Sequence, residues 1–137
     1  MEYRKLPRGD EMVSLLGLGN SSMGESGEYE TEATVSLALE NGINNFDKAA
    51  ADATPFAAFG RAVGSMREKV YYQVHFGALY DTGTYGWTQE LEAIKRSVDR
   101  QLRQLRSDYI DFGFIHCIDE NEDLDTVISE GTVDYLR

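Results

Sequence analysis

The chain contains only two histidines, and each ends a hydrophobic run of the kind that forms a buried strand. A third such run ends in the carboxylate of Asp47. The three runs are residues 70–75, 109–116 and 43–47. An imidazole titrates near neutral pH and so can carry protons, and β/α folds build active sites from titratable groups at the carboxyl ends of parallel strands. We therefore expect Asp47, His75 and His116 to lie in one active site.

The elements that must position these residues alternate between strands and helices. A β-hairpin is predicted over residues 1–16, and four strand–helix units follow over residues 13–137, all within a single domain. Apolar periodicity and capping residues predict helices over residues 30–41, 54–63 and 88–105, and from residue 123 onward. This alternation favours a parallel sheet with right-handed crossovers. Four units fit either half of a β/α barrel or a small open doubly wound sheet.

Local signals refine these boundaries. Thr54 and Thr88 are predicted to cap the second and third helices. The segment 76–87 is rich in glycine and tyrosine and is predicted to be a long loop. Cys117 directly follows His116 and is expected to be a buried thiol on the opposite face of the strand.

Composition restricts the classes of function. The net charge is −11 over 137 residues, which argues against binding to nucleic acid or an anionic membrane surface, since both carry phosphate. No apolar run approaches the ~20 residues of a membrane-spanning helix, and the first residues lack the apolar core of a signal peptide. A single cysteine allows no intramolecular disulfide, so the cytoplasm is the expected location.

Four segments, taken together, resemble the aldo-keto reductases in order and spacing. They are residues 16–19 (Leu-Gly-Leu-Gly), 38–47 (Ala-Leu-Glu-Asn-Gly-Ile-Asn-Asn-Phe-Asp), 107–111 (Ser-Asp-Tyr-Ile-Asp) and 114–116 (Phe-Ile-His). The resemblance covers essentially the whole chain and matches the first half of that family. It implies an α/β fold, the N-terminal half of a (β/α)8 barrel that an N-terminal hairpin closes at the bottom.

The same resemblance implies NADP(H)-dependent reduction of a small carbonyl substrate by an aspartate, a tyrosine, a lysine and a histidine. By position the aspartate is Asp47 and the histidine is His116. The tyrosine position holds Asp52, and the lysine position holds His75, so both of these catalytic candidates differ in type from the family. A carboxyl group is ordinarily ionised at neutral pH and cannot donate a proton like a phenol unless burial raises its pKa. Tyr71, Tyr72, Tyr80 and Tyr85 are candidate substitute acids, and Tyr80 and Tyr85 are preferred because they lie in the loop 76–87.

The cofactor contacts implied for this half of the barrel come from the loop after the first strand and from Asp47. That loop holds Gly19, Asn20, Ser21 and Ser22. Gly17 and Gly19 are followed by Ser22, so the chain lacks a dinucleotide-binding glycine fingerprint. Residues 69–77 resemble a subgroup whose full-length members carry a C-terminal iron–sulfur domain. Cysteines for such a cluster are absent here, and a cluster is expected only in a C-terminal region outside the chain.

Two other functions remain open at this point. A stand-alone half-barrel would bind a small ligand without redox chemistry and would close its sheet by forming a homodimer. A metal-dependent enzyme would use His75 and His116 with Asp47 and Asp52, because two imidazoles with carboxylates suit Zn or Fe(II). On the reductase hypothesis, the 137-residue chain is a truncated enzyme that we expect to be inactive by itself.

Overall fold

A computed structural model describes residues 1–137 and contains one parallel sheet with helices against one of its faces. The sheet has the strand order β3 (Gly17–Gly19), β4 (Asn45–Asp47), β5 (Tyr71–Phe76) and β8 (Phe112–Ile115), and all of its pairings are parallel. Each strand of this sheet is followed by an α-helix before the chain enters the next strand of the sheet or ends. The predicted α/β fold with four strand–helix units is confirmed.

The strands are short, and the helices carry most of the chain's regular structure. The strands are β1 (Tyr3–Lys5), β2 (Met12–Ser14), β3 (Gly17–Gly19), β4 (Asn45–Asp47), β5 (Tyr71–Phe76), β6 (Ala78–Leu79), β7 (Gly86–Trp87) and β8 (Phe112–Ile115). The α-helices are α1 (Gly27–Glu40), α2 (Thr54–Val63), α3 (Leu91–Leu105), α4 (Asn121–Ser129) and α5 (Thr132–Tyr135), and 3-10 turns cover Met23–Ser26 and Gly64–Lys69.

The predicted hairpin is present, with β1 antiparallel to β2. It is attached to the sheet through the segment before β4. The amide of Ser14 donates to Oδ1 of Asn44 at 2.8 Å, and the amide of Asn44 donates to Oγ of Ser14 at 3.1 Å. The hydroxyl of Tyr3 donates to the carbonyl of Gly42 at 2.8 Å. These bonds hold the hairpin at the end of the sheet opposite to the predicted active site.

Two helix starts differ from the predictions. Thr54 is the first residue of α2 and not its cap, because the Asp52 carboxylate accepts the Thr54 amide at 2.8 Å. Thr88 lies before the cap of α3, and its hydroxyl accepts the amide of Glu90 at 3.1 Å. Side chains that bond a backbone amide two residues further on form a turn ahead of the helix. Helix α2 therefore begins earlier than a Thr54 cap implies, and α3 begins later than a Thr88 cap implies.

The segment 76–87 was predicted to be a loop but contains a small antiparallel ribbon of β6 and β7. The prediction of a buried thiol was also wrong, because Cys117 is exposed. Its backbone φ is +54°, so the chain leaves the extended conformation directly after His116. The strand alternation that would have carried Cys117 to the opposite face therefore ends one residue too early.

The apolar core lies between the sheet and helices α1 and α2. Phe46 of β4 and Tyr72 of β5 are fully buried on this face and pack with Phe59 of α2. The rings of Phe46 and Phe59 meet edge to face, with centroids 5.4 Å apart. Alternate strand residues point to the opposite, inner face, and the active-site candidates lie there because Asp47 directly follows Phe46.

Arg67 anchors the ends of the strands remote from the predicted site. Its guanidinium donates to Oδ2 of Asp111 at 2.7 Å, to the carbonyl of Val70 at 3.0 Å and to that of Tyr109 at 3.0 Å. The same Asp111 oxygen accepts the amide of Tyr72 at 2.8 Å. This buried ion pair therefore ties β5 to the segment that leads into β8.

The helices of this chain are too short or too polar to cross a lipid bilayer.

Candidate active site

The carboxyl ends of β4 and β5 bring Asp47 and His75 together on the inner face. Asp47 lies opposite Gln73 in the parallel register of these strands, and His75 is the next residue of β5 on the same face. Nε2 of His75 lies 2.8 Å from Oδ1 of Asp47. The amide of Ala49 donates to the same oxygen at 2.9 Å. The Asp47 carboxylate is thus hydrogen-bonded to both an imidazole and a backbone amide.

His116 joins this pair from the end of β8. Its amide donates to the carbonyl of Phe76 at 2.8 Å, which continues the ladder between β5 and β8 by one residue. Nδ1 of His116 lies 3.0 Å from Nδ1 of His75, and the two rings are perpendicular. The indole of Trp87 donates to the His116 carbonyl at 3.0 Å. The structure therefore brings Asp47, His75 and His116 into one hydrogen-bonded group.

Tyr85 extends this group towards solvent. Its hydroxyl oxygen lies 3.0 Å from Nε2 of His116. The backbone amide of Tyr85 donates to the carbonyl of Ala51 at 2.9 Å, which holds the residue beside the segment that follows β4. Tyr85 is 42% exposed, whereas Tyr80 is 1% exposed and its hydroxyl accepts the amide of Ala50 at 3.0 Å.

The carboxylate sets the direction of every hydrogen bond in this group when both rings are neutral. An ionised carboxylate only accepts, so Nε2 of His75 carries the hydrogen and Nδ1 of His75 accepts. Nδ1 of His116 must then donate, and Nε2 of His116 accepts from the Tyr85 hydroxyl. The four residues form one directional chain, from the Tyr85 hydroxyl to the Asp47 carboxylate.

The electrostatics of the group favour an ionised Asp47 and a neutral His116. Burial by itself would raise the pKa of Asp47, but the hydrogen bonds from His75 and Ala49 outweigh it and hold the pKa below its ordinary value. Burial lowers the pKa of His116, and a charge on His75 lowers it further. Burial raises the pKa of Tyr85, and the neighbouring Cys117 adds to this effect. The phenol therefore keeps its proton at neutral pH.

Asp52 does not join the three other predicted catalytic residues. One carboxylate oxygen accepts the Thr54 amide, and the other lies against Gly24. The backbone of Asp52 pairs with Thr84 in an isolated bridge. In this structure Asp52 forms the turn that precedes α2 and pairs with the loop after β5.

The loop predicted to contact a cofactor borders a shallow cleft beside the catalytic candidates. The cleft has a volume of about 370 Å³, and its lining residues are Ser21, Ala49, Ala50, Ala51 and Tyr85. Gly19 faces open space, and Ser22 is exposed. Asn20 is buried; with its nitrogen turned towards the backbone it donates to the carbonyls of Asp47 and Ala49 at 3.1 and 2.8 Å. Asn20 thus fixes the backbone below the cleft.

Lys48 is a buried residue that the sequence analysis missed. It is fully buried on the core side, with Nζ 2.7 Å from the ring centre of Phe59, and its amine has no hydrogen-bond partner. The aromatic faces favour an ammonium, but burial dominates and lowers the pKa of Lys48 well below its ordinary range. Strand residues alternate between the two faces of the sheet, so Asp47 lies on the inner face and Lys48 lies with Phe46 in the core. This alternation is the sequence signal that would have identified Lys48 as a buried lysine.

The predicted metal site lacks a ligand set. No group of three histidine, cysteine, aspartate or glutamate side chains is arranged to hold a metal ion. The ring nitrogens of His75 and His116 are all engaged in the hydrogen bonds described above. Because Asp52 faces Gly24 and the start of α2, it does not complete a metal site.

Four parallel β/α units with polar groups at the carboxyl ends of the strands define half of a β/α barrel with its active-site edge. Residues 15–136 match the model of the aldo/keto reductase family, and the chain belongs to that family.

Individual relatives agree with this assignment. The chain is 29% identical over 146 residues to the uncharacterized oxidoreductase YqkF of Bacillus subtilis, covering 98% of this chain and 47% of YqkF. The crystal structure of PA4992 from Pseudomonas aeruginosa matches with a TM-score of 0.79 at 28% identity, over 98% of this chain and 53% of that one. The holo form of the aldo-keto reductase AKR11C1 from Bacillus halodurans matches with a TM-score of 0.73 at 27% identity, over 97% of this chain and 47% of that one. The chain thus spans about half the length of these relatives.

Proposed function

We propose that the protein containing this chain is an oxidoreductase that interconverts a small carbonyl compound and its alcohol with NADP(H). The observation that carries the proposal is the hydrogen-bonded group of Asp47, His75 and His116 at the carboxyl ends of three neighbouring strands. Membership in the aldo/keto reductase family supports it, and the resemblance described above puts Asp47, His75 and His116 at that family's aspartate, lysine and histidine positions. The family's lysine is replaced here by His75, which is also a cation when protonated.

Each residue of the group has a defined task in this proposal. Asp47 accepts a hydrogen from His75 and stabilises a positive charge on that ring. His116 stands at the position to which the resemblance assigns orientation of the substrate carbonyl, and it acts here through the Tyr85 hydroxyl, which lies 3.0 Å from its Nε2. His75 links the two and stores a proton between them. A small carbonyl compound is the expected partner, and an iron–sulfur cluster and a cytoplasmic location stay predictions.

The residues beside the cleft fit the nicotinamide end of the cofactor. Gly19, Ser21 and Ser22 would hold it, together with Asp47, and the alanine floor leaves room for a flat ring. When bound, NADP(H) supplies or accepts the hydride. Asn20 contributes indirectly, because it holds the backbone on which the cofactor would rest.

Turnover by the full gene product that contains this chain tests the proposal. Oxidation of NADPH is followed with a panel of aldehydes and ketones, and reduction of NADP+ with the matching alcohols. We expect turnover, with kcat/KM about 100-fold or more lower in Asp47→Asn and His116→Ala, because general acid–base groups contribute about 10²–10⁴-fold. Asp125→Asn, on the exposed side of α4, is the control. Unchanged kcat/KM in both active-site variants would contradict the assigned roles.

A further inference from the structure

The position of the family's tyrosine holds no tyrosine in this chain, although the hydrogen-bonded group of the candidate site includes the phenol of another tyrosine. Asp52 stands five residues after Asp47, and its carboxylate is engaged with the Thr54 amide. The hydrogen-bonded chain that starts at Asp47 ends at the hydroxyl of Tyr85, on a different loop. A phenol is thus present at the site, delivered by the loop after β5 and not by the loop after β4.

We propose that Tyr85 is the residue that gives the proton to the carbonyl oxygen during reduction, and that His116 and His75 resupply it. This assignment rests on the proposed function and adds a catalytic residue to it. Tyr85 is the only one of the four residues in the hydrogen-bonded group that also lines the cleft. A substrate in that cleft would therefore meet the phenol before it meets either imidazole.

The other tyrosines near the sheet are unsuited to this task. Tyr80 is buried, and its hydroxyl accepts the Ala50 amide. Tyr72 is buried in the core on the opposite face of the sheet. Tyr71 stacks on Phe112, with ring centres 5.5 Å apart, at the entry of β5. Of these tyrosines, Tyr85 alone both contacts His116 and is accessible from the cleft.

The geometry allows a balanced proton transfer through three hydrogen bonds. Reduction starts with one additional proton on the imidazole pair, so that His75 donates to Asp47 and to His116, and His116 donates to Tyr85. When bound, NADPH would supply a hydride to the carbonyl carbon, and the electron pair of the C=O π bond would move to oxygen. That oxygen takes the hydrogen of Tyr85, Tyr85 takes one from Nε2 of His116, and His116 takes one from Nδ1 of His75. The products are the alcohol, oxidised nicotinamide and a neutral imidazole pair, which regains its proton from water.

This mechanism gives reduction and oxidation opposite pH dependences. Reduction needs the additional proton on the imidazole pair, so it slows as pH rises and that proton is lost. Alcohol oxidation needs the neutral pair and slows as pH falls. The charged and titratable groups that act on His116 and Tyr85 are Asp47, His75, Tyr80, Cys117 and Asp119.

A phenylalanine substitution tests the assignment because it removes only the hydroxyl. In the full gene product, Tyr85→Phe should lower kcat for reduction by about 10²–10⁴-fold and leave the Kd for NADPH within about 2-fold. The residual kcat of the Tyr85→Phe enzyme should also not show the pH dependence of the wild-type kcat. Tyr29→Phe, at a site 85% exposed on α1, is the matched control and should behave as the wild type. A Tyr85→Phe enzyme within 3-fold of the wild type would overturn the assignment.

A second readout separates this proposal from the proposed function. The 15N resonance of His116 Nε2, measured in this chain without cofactor, should shift when Tyr85→Phe removes the hydrogen-bond donor. An unchanged resonance would overturn the contact and the proton path with it. A shifted resonance with no turnover in the wild-type gene product would instead contradict the proposed function, and the catalytic role of Tyr85 would fall with it.

Discussion

At the scale of the residue, Asp47 determines the protonation pattern of the whole site. Because its carboxylate only accepts hydrogen bonds, it fixes which nitrogen of His75 carries hydrogen, and the pattern passes to His116 and Tyr85. The positions of Asp47, His75 and His116 were predictable, since each ends a hydrophobic run. The contact of Tyr85 was not, because it depends on the path of a loop whose ribbon has only two residues per strand.

Lys48 gives a prediction about stability at the same scale. Lys48→Met should raise the free energy of unfolding by about 1–3 kcal/mol at pH 7, because it removes a buried polar group without a partner. The folded-state pKa of Lys48 lies below the unfolded value, so the unfolded state binds more protons between the two values. Wild-type stability should therefore rise with pH in that window, up to the unfolded pKa near 10, while Lys48→Met should not show this rise.

Chemical denaturation at several pH values measures both effects. Lys69→Met, at an exposed lysine on the 3-10 turn before β5, is the control and should change stability little. A Lys48→Met chain that is less stable than the wild type at pH 7 would contradict the description of Lys48 as a buried amine without a partner.

At the scale of the element, the order of strands and helices was predictable and the exact helix starts were not. Apolar periodicity reports which residues face the core, and that pattern is regular in α3 from Leu91 to Leu105. Helix starts depend on which side-chain oxygen reaches which amide. Asp52 and Thr88 bond amides two residues ahead. Helix α2 begins at Thr54 itself, earlier than a Thr54 cap implies, and α3 begins at Leu91, later than a Thr88 cap implies.

The anchor below the sheet gives a prediction at this scale. Arg67→Met should lower the free energy of unfolding by about 3–5 kcal/mol, because it leaves the buried carboxylate of Asp111 without its ion-pair partner. Arg96→Met, at an exposed position of α3, should change it by less than about 0.5 kcal/mol. Urea denaturation of both variants measures the difference, and equal stabilities would contradict the role given to Arg67.

At the scale of the whole molecule, the sheet is open at both edges. β3 pairs only with β4, and β8 pairs only with β5. The inner face is partly apolar: Phe114 is 49% exposed, and Phe112 lines a cavity of about 200 Å³ with Leu6 and Val13 of the hairpin. Unpaired sheet edges and exposed apolar faces favour association with additional polypeptide. The family resemblance predicted half a barrel, and the structure has that form.

We expect the 137-residue chain on its own to self-associate through this inner face as a homodimer. Light scattering with size-exclusion chromatography should give about twice the mass of one chain. Phe114→Glu should weaken the association, and Tyr29→Glu, on the outer side of α1, should not. A compact monomer at all concentrations would count against closure of the sheet by a second copy.

The most direct test of the account is the tautomeric state of the two histidines, read from 15N shifts of the chain at a pH where both are neutral. With only two histidines, Asp47→Asn and His116→Ala variants suffice for assignment. We expect hydrogen on Nε2 of His75 and on Nδ1 of His116, and a change in both rings in Asp47→Asn. Hydrogen on Nε2 of His116, or rings that do not respond to Asp47→Asn, would contradict the directional chain from Tyr85 to Asp47.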